Sequence, residues 1–149
     1  MSMVKGDINV RDDSEIAEFL LGVRTIAVVG LSENPAKDSH RVASYLQAQG
    51  YEIIPVNPLA HTVLGRPAKA SLREIEGRVD LVDVFRKSEE IPAIVEDAIA
   101  IGARGVWLQS GLRAPEAEKR ARSKDLFVMA DRCLMAEHRR LLAHSPVQR

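Results

Sequence analysis

The segment from Gly30 to Ser39 follows an apolar run and is rich in groups that bind phosphate. Gly30 lets the backbone turn sharply, and the hydroxyls of Ser32 and Ser39 can hold phosphate oxygens together with the free amides of a helix start. Lys37 adds a positive charge on the same rim, which suits a diphosphate. The alternative is a plain polar loop in which Ser39 is an ordinary helix N-cap. Residue types and spacing leave both interpretations open.

Asn57 directly follows a second apolar run and lies between two prolines, Pro55 and Pro58. The prolines keep the backbone extended, so the Asn57 side chain projects from the sheet edge at a fixed angle. A dinucleotide-binding Rossmann domain has an acidic residue near this place and a G-x-G-x-x-G first loop. Neither is present, which disfavours a site for NAD. Asn-Pro is also a common turn initiator, so a simple turn is the alternative.

Two further apolar runs are followed by residues that can bind a nucleotide. Phe85 offers an aromatic face. Arg86 offers a guanidinium that can bind phosphate through two hydrogen bonds, and Lys87 adds a second positive charge. Gln109 offers an amide hydrogen bond, and Gly111 allows close approach of a ligand. The alternative is that Phe85 belongs to the core and that both cations are solvated.

Asp131 and Cys133 follow the last apolar run, and His138 lies a few residues further on. A cysteine near a helix start can be a reactive thiol, whereas a lone cysteine is more often a small buried apolar residue. We find no defensible pair of nucleophile and base, and the four histidines have no metal-ligand spacing. The sequence therefore predicts neither a catalytic group nor a metal site.

Short apolar runs alternate with amphipathic segments along the chain. We expect strands at 25–29, 52–56, 79–85, 105–108 and 126–129. We expect helices at 12–21, 39–49, 89–101, 115–122 and 133–142, with a short one at 71–75. Asp13 or Ser14 should cap the first helix, and Gly50 should close the second.

This alternation requires a parallel sheet with helices on both faces. We predict an α/β fold, a three-layer, doubly wound, Rossmann-like sheet of five parallel strands in the order 3-2-1-4-5. The switch point would lie between strands one and four, and ligands bind outside the carboxyl ends of such strands. We expect one domain over residues 13–144, a flexible segment 1–12 and a tail 145–149.

The composition excludes several classes of protein. The 149 residues are 46% apolar and 28% charged, which fits one soluble domain. Lys plus Arg equals Asp plus Glu at 21 each, so no overall charge favours a nucleic acid or an anionic membrane. The chain has no apolar stretch of membrane-helix length, no signal peptide at its polar start and a single cysteine. We therefore expect a cytoplasmic protein without nucleic-acid or membrane partners.

Taken in order, the segments at the strand ends resemble the small stand-alone CoA-binding proteins. The fold of that family is similar to the CoA-binding domain of the succinyl-CoA synthetase α-subunit. The matching segments are Val-Val-Gly-Leu-Ser-x-x-Pro (28–35) with Lys37 and Ser39, Gly-Tyr (50–51), Pro-Val-Asn-Pro (55–58), Asp-Val-Phe-Arg-Lys-Ser-Glu (83–89), Trp-Leu-Gln-x-Gly (107–111), Asp-Arg-Cys-Leu (131–134) and Glu-His-Arg-Arg-Leu (137–141). The resemblance spans about residues 14 to 142. Leu112 departs from it, because relatives often have Val there.

The resemblance implies that CoA or an acyl-CoA binds across the sheet edge. It assigns the diphosphate to the first loop, through Gly30, Leu31, Ser32, Pro35, Lys37 and Ser39. It places Asn57 and Pro58 beside the nucleotide, and Phe85, Arg86 and Lys87 along the path of the pantetheine arm or the phosphates. It places Gln109 and Gly111 on the opposite side of the site.

We therefore predict a CoA-binding module without catalysis of its own, such as a carrier, a sensor or a partner of an acyl-CoA enzyme. The synthetase uses a phosphorylated histidine from a second domain, which we do not expect in 149 residues, so ligase activity is not implied. Two alternatives remain: an enzyme that acts on a CoA thioester or nucleotide through Asp131, Cys133 or His138, and an NAD(P)-dependent oxidoreductase. The apolar side of the last helix is either core or the interface of a homodimer.

Overall fold

Five parallel strands form the centre of the protein in a computed structural model that describes Asn9 and residues 11–143. In chain order the strands are β1 (Thr25–Val29), β2 (Glu52–Val56), β3 (Thr62–Val63), β4 (Arg66–Pro67), β5 (Leu81–Val84), β6 (Gly105–Leu108) and β7 (Phe127–Met129). β3 and β4 pair antiparallel as a small separate hairpin, and the other five strands form the main sheet. The five predicted strands are thus confirmed, and the hairpin lies in a segment that we expected to be a loop.

The predicted helices are also present. They are α1 (Asp13–Leu21), α2 (Asp38–Ala48), α3 (Ile91–Ala100), α4 (Pro115–Ser123) and α5 (Leu134–Leu142), with single 3-10 turns at Leu72–Glu74 and Ser88–Glu90. The predicted cap of α1 is wrong, because Asp12 is the N-cap. The Asp12 carboxylate accepts from the Glu15 N–H at 2.9 Å, and the Glu15 carboxylate accepts from the Asp12 N–H at 2.9 Å. Two backbone donors of the helix start are satisfied in this way.

The strand order corrects one part of the prediction. The main sheet runs β2-β1-β5-β6-β7, which is 2-1-3-4-5 when only its five strands are counted. The α/β class, the three layers and the doubly wound parallel sheet are confirmed, whereas the order 3-2-1-4-5 is wrong. The switch point therefore lies between β1 and β5, and not between the first and fourth strands.

Pro55 explains why the third strand does not lie outside β2. A proline has no N–H to donate to a neighbouring strand, so prolines within sheets are confined to edge strands. The outer side of β2 is occupied by Lys69, whose N–H donates to the Pro55 carbonyl at 2.9 Å. The Lys69 carbonyl accepts from the Asn57 N–H at 2.8 Å. In contrast, all four residues of β5 are buried, as a central strand requires.

Helices cover both faces of the sheet. Helices α1, α2 and α5 cover one face, where the buried side chains include Ile26, Val28, Ile53, Leu81, Trp107 and Met129. Helices α3 and α4 cover the other, where they include Ala27, Val29, Val82, Val84, Val106 and Leu108. The alternation along each strand separates these two sets of side chains.

The predicted flexible segment and tail fall largely on residues 1–8, 10 and 144–149, which lie outside the described residues, so the domain bounds stay predictions. Asn9 is buried, and its side-chain amide makes two hydrogen bonds with the backbone of Ala130, at 3.0 and 2.9 Å. Among the described helices, none is long and apolar enough to cross a membrane.

Candidate functional site

Gly30 brings the chain segments that follow β1 and β5 into direct contact at the switch point. Its φ is +90°, and a Cβ at this position would lie 2.5 Å from the carbonyl oxygen of Phe85 and 2.8 Å from Cδ of Arg86. Side chains do not pack at such distances, and an L-residue is strained at this φ. Only glycine therefore allows the β1–α2 loop and the β5–α3 loop to leave the sheet side by side.

The β1–α2 loop is ordered by its own hydroxyl groups. The Ser32 N–H donates to Oγ of the buried Ser39 at 3.0 Å, and the Asn34 N–H donates to Oγ of Ser32 at 3.0 Å. A hydroxyl that accepts in this way keeps its own proton for donation to a ligand. Lys37 is the N-cap of α2 and makes no side-chain cap, so the first amides of α2 are open to an anion. The alternative of Ser39 as N-cap is wrong, because Ser39 is the second residue of α2.

Asn57 connects this loop to the end of β2. Its Nδ2 donates to the Leu31 carbonyl at 2.9 Å, and its Oδ1 accepts from the Leu59 N–H at 2.9 Å. The second bond is that of a turn initiator, whereas the first holds the β1–α2 loop in place. Leu31 itself is fully buried, so it contributes its backbone to the loop and its side chain to the core.

A smaller cavity of about 210 Å³ opens at the carboxyl ends of β1 and β2, beside α3. Its lining mixes apolar, polar and charged residues: Val29, Gly30, Val56, Asn57, Pro58, Ala70, Ser71, Leu72, Arg86, Glu90, Ile94 and Asp97. Four of these, Gly30, Asn57, Pro58 and Arg86, were predicted to belong to the site, and the topology brings them together at one edge of the sheet.

A larger cavity of about 460 Å³ opens between α2, the ends of β5 and β6, and α5. It is lined by Asp38, Arg41, Val42, Phe85, Arg86, Lys87, Gln109, Ser110, Leu112, Cys133 and Met135. Its apolar walls come from both helices and from Phe85 and Leu112, and Arg41, Arg86 and Lys87 carry positive charge. Arg86 lines both cavities, so the two adjoin at this side chain.

Arg86 makes a two-bonded ion pair with Glu90, with Nε–Oε1 at 2.9 Å and Nη2–Oε2 at 3.0 Å. The hydrogen bonds from Arg86 hold the pKa of Glu90 below its usual value, and Glu90 in turn raises the pKa of Arg86. Both side chains are nearly half exposed. Arg86 is thus held at the junction of the cavities and is not simply solvated.

Gln109 is buried, and its side-chain amide is held at both ends. Nε2 donates to Oδ1 of Asp83 at 2.6 Å, and Oε1 accepts from the Leu134 N–H at 3.4 Å. Burial of Asp83 raises the pKa of its carboxyl to about 7, against the opposing effect of the Gln109 hydrogen bond. Within the described part of the chain, Oδ2 of Asp83 has no hydrogen-bond partner.

No role was predicted for Asp83. A carboxylate inside the apolar run Leu81–Val84 was the available signal, because a charged residue in a central strand is costly without a partner. Gly111 was assigned to the site, but it lines neither cavity. Its φ is +85°, and its N–H donates to Oδ1 of Asp131 at 2.6 Å. The glycine is therefore explained by its backbone conformation.

Cys133 is the N-cap of α5, is half-buried and lines the larger cavity. His138 is buried between α5 and α2, where its Nδ1 lies 2.9 Å from the hydroxyl of Tyr45, and it lines neither cavity. Over residues 11–143 and Asn9, no cluster of three or more His, Cys, Asp or Glu side chains can hold a metal ion.

Comparison with known proteins gives a family for this arrangement. The model of the CoA binding domain family matches residues 24–139. The uncharacterized protein YneT of Bacillus subtilis is 43% identical over 125 residues, which cover 84% of this chain and 93% of that protein. A hypothetical protein from Pyrococcus horikoshii has a solved structure that superposes with a TM-score of 0.89 at 39% identity, covering 95% of this chain and 99% of that one.

A more distant relative has a named activity. The α-subunit of ADP-forming acetate–CoA ligase II from Pyrococcus furiosus is 29% identical over 115 residues. The match covers 76% of this chain but 25% of that subunit. This chain therefore spans about a quarter of the length of that subunit.

Proposed function

This chain belongs to the CoA binding domain family, and from that premise we propose that it binds coenzyme A, free or acylated, at the carboxyl edge of its sheet. The diphosphate lies on the β1–α2 loop and the first turn of α2. The nucleotide enters the smaller cavity, and the pantetheine arm enters the larger one.

One observation carries this proposal: two cavities of unequal size adjoin at Arg86 beside an uncapped helix start. CoA has a nucleotide at one end and a long flexible arm at the other, and its charged diphosphate lies between them. A ligand of this shape needs an anion-binding point at the junction of two pockets. We assign that point to Arg86, which lines both cavities, and to the amides at the start of α2, where Lys37 is the N-cap but lines neither cavity.

We also assign two hydroxyls of the β1–α2 loop to the phosphates, although they line neither cavity. The hydroxyls of Ser32 and Ser39 each accept a backbone hydrogen bond and retain a proton to donate. Lys87 adds charge at the mouth of the larger cavity. Pro35 is an exposed residue of the loop, and we assign it to the rim of the site.

We propose that the protein binds this ligand without transforming it. A partner that is an acyl-CoA enzyme, a homodimer and a cytoplasmic location stay predictions. Cys133 lies in the larger cavity, which is the observation in favour of the alternative, an enzyme acting on a CoA thioester. If that thiol reacts, alkylation near neutral pH should be fast and slowed by CoA.

Calorimetric titration with CoA, dephospho-CoA, NAD and ATP tests the proposal. We expect the tightest binding for CoA, and an Arg86→Gln variant should bind CoA about tenfold more weakly, because a charged hydrogen bond to phosphate is lost. Arg120→Gln is the matched control, since Arg120 makes a similar two-bonded pair with Glu96 on the outside of α3 and α4. Equal affinity for all four nucleotides, or binding of none, would show that the proposal is wrong.

A further inference from the structure

Asp83 is a fully buried carboxyl in a central strand, and the binding of CoA proposed above gives it no direct contact with the ligand. Its neighbours Val82 and Val84 are apolar and pack on the opposite face of the sheet. A carboxyl group that is removed from water with one oxygen unpaired costs free energy that an apolar residue would not cost. The contacts of Asp83 therefore indicate a purpose other than packing.

We propose that Asp83 is a positioning residue that fixes the Gln109 amide, so that the larger cavity presents a hydrogen-bond donor to the carbonyl groups of a pantetheine arm. This inference rests on the proposed function, because it concerns the same cavity. It adds the ligand group that this wall recognises and the residue that sets its orientation.

The orientation follows from the hydrogen-bond inventory of an amide. The side chain of Gln109 has two N–H donors and one carbonyl oxygen. One N–H is used by Asp83 at 2.6 Å, and the oxygen accepts from the Leu134 N–H. Exchange of nitrogen and oxygen would place two donors together at Leu134 in either charge state of Asp83, and it would place two acceptors together at Asp83 when that carboxyl is ionised. The amide is therefore held in one orientation, and one N–H remains for a ligand.

The same bonds join three elements around the inner wall of the cavity. Asp83 lies in β5, Gln109 directly follows β6, and Leu134 begins α5. Cys133, the residue before Leu134, and Gln109 itself both line the cavity. A pantetheine arm carries two amide carbonyls, and an acylated arm adds a thioester carbonyl. A fixed donor on this wall is suited to any of these acceptors.

Binding of CoA and of ADP, which lacks the arm, separates this role from a general effect on the site. Asp83→Leu removes both oxygens, and we expect it to weaken CoA binding about tenfold while ADP affinity stays the same. Asp83→Asn keeps an acceptor for Nε2, so its CoA affinity should fall by less than about threefold. Should the leucine variant not fold, Asp83→Ala carries the same expectation.

Asp80→Asn is the matched control, because Asp80 is a buried aspartate at the opposite end of β5. It should lower the melting temperature and leave the ratio of CoA to ADP affinity unchanged. Equal losses for CoA and ADP in Asp83→Leu, or no loss for CoA, would overturn the positioning role and leave the proposed function standing. A native protein that binds ADP and CoA equally, or neither, would overturn both.

Discussion

Two buried aspartates at opposite ends of β5 have contrasting surroundings. Asp80, just before the strand, accepts hydrogen bonds from the backbone N–H groups of Arg24 and Thr25 and from the Arg78 side chain. Burial raises the pKa of Asp80, but these bonds outweigh it, and the pKa lies below its usual value. Asp83 accepts a bond from Gln109 and has one oxygen unpaired, so burial raises its pKa to about 7.

The contrast extends to the two edges of the sheet. At the amino edge, the rings of Phe19 and Phe127 stack at 4.0 Å, and the Arg104 guanidinium donates to the Gly22 carbonyl at 3.1 Å. At the carboxyl edge, two cavities open and donors and acceptors remain available to a ligand. A cavity of about 450 Å³ also opens at the amino edge, but Phe19, Phe127 and Arg104 in its wall already have partners within the protein. We therefore divide the edges by the groups that they offer, and we propose an occupant for the carboxyl edge alone. This division matches the ligand position in doubly wound sheets.

Gly30→Ala should have the largest effect on the carboxyl edge. The new methyl group would meet the Phe85 carbonyl at 2.5 Å at a φ of +90°. Backbone strain and overpacking each cost about 1–3 kcal/mol, so we expect a loss of roughly 4 kcal/mol in the free energy of unfolding. Urea denaturation would measure it, and CoA binding should be lost as the two loops separate.

Gly102→Ala is the matched control for backbone conformation alone. Gly102 has a φ of +76°, and a Cβ there would meet no atom within 4 Å among the described residues. Because alanine is strained in the left-handed conformation, we expect Gly102→Ala to lower the free energy of unfolding by about 1 kcal/mol. Similar losses for the two variants would show that the close approach of the loops at Gly30 does not exist.

Asp83→Asn should change how stability depends on pH. The carboxyl has a folded pKa of about 7 against 3.8 for the ordinary group, so the folded state holds its proton between these values while the unfolded state releases it. The free-energy cost of a charged Asp83 in the folded protein is therefore absent below pH 3.8, grows as the pH rises and is complete above pH 7. Between pH 4 and pH 8, the free energy of unfolding of the variant should therefore rise, relative to that of the native protein, by on the order of 3 to 4 kcal/mol.

Asp80→Asn should give the opposite dependence of stability on pH, which tests the contrast between Asp80 and Asp83. Because the folded pKa of Asp80 is lowered, its charge stabilises the fold above pH 3.8, and that contribution is lost as pH falls through the folded pKa. The variant should be less stable than the native protein near neutrality and approach it in acid. Denaturation curves across the pH range measure both variants, and parallel curves would contradict the contrast between the two ends of β5.

Much of the fold follows from the sequence, because strand and helix periods are local properties. The strand order does not, since it depends on which edges pair. Pro55 was the available signal, because a proline cannot lie in an interior strand and β2 must therefore be an edge strand. The hairpin at Thr62–Val63 and Arg66–Pro67 was missed because two-residue strands show no periodicity.

The position of a candidate residue was predictable where its side chain directly follows a strand. Gly30, Asn57, Arg86 and Gln109 all lie at the carboxyl edge because parallel strands end together. The partners of these side chains were not predictable. Glu90 and Asp83 meet Arg86 and Gln109 through the folded geometry, which residue spacing does not encode.

Glu90→Gln should cause the smallest of these changes, an increase in CoA affinity, and it tests the junction of the two cavities. Glu90 now shares the guanidinium of Arg86 with any phosphate that binds there. Exposed ion pairs are weak, so removing the charge should strengthen CoA binding by about threefold, as measured by calorimetric titration.

Glu96→Gln provides the control, because Glu96 makes the equivalent pair with Arg120 away from both cavities. We expect no change in its CoA affinity. Weaker CoA binding in Glu90→Gln would mean that Glu90 orients Arg86 for the ligand and does not compete with it. The contrast between the edges would then extend to this pair, with Glu90 acting as part of the site and Glu96 as part of the scaffold.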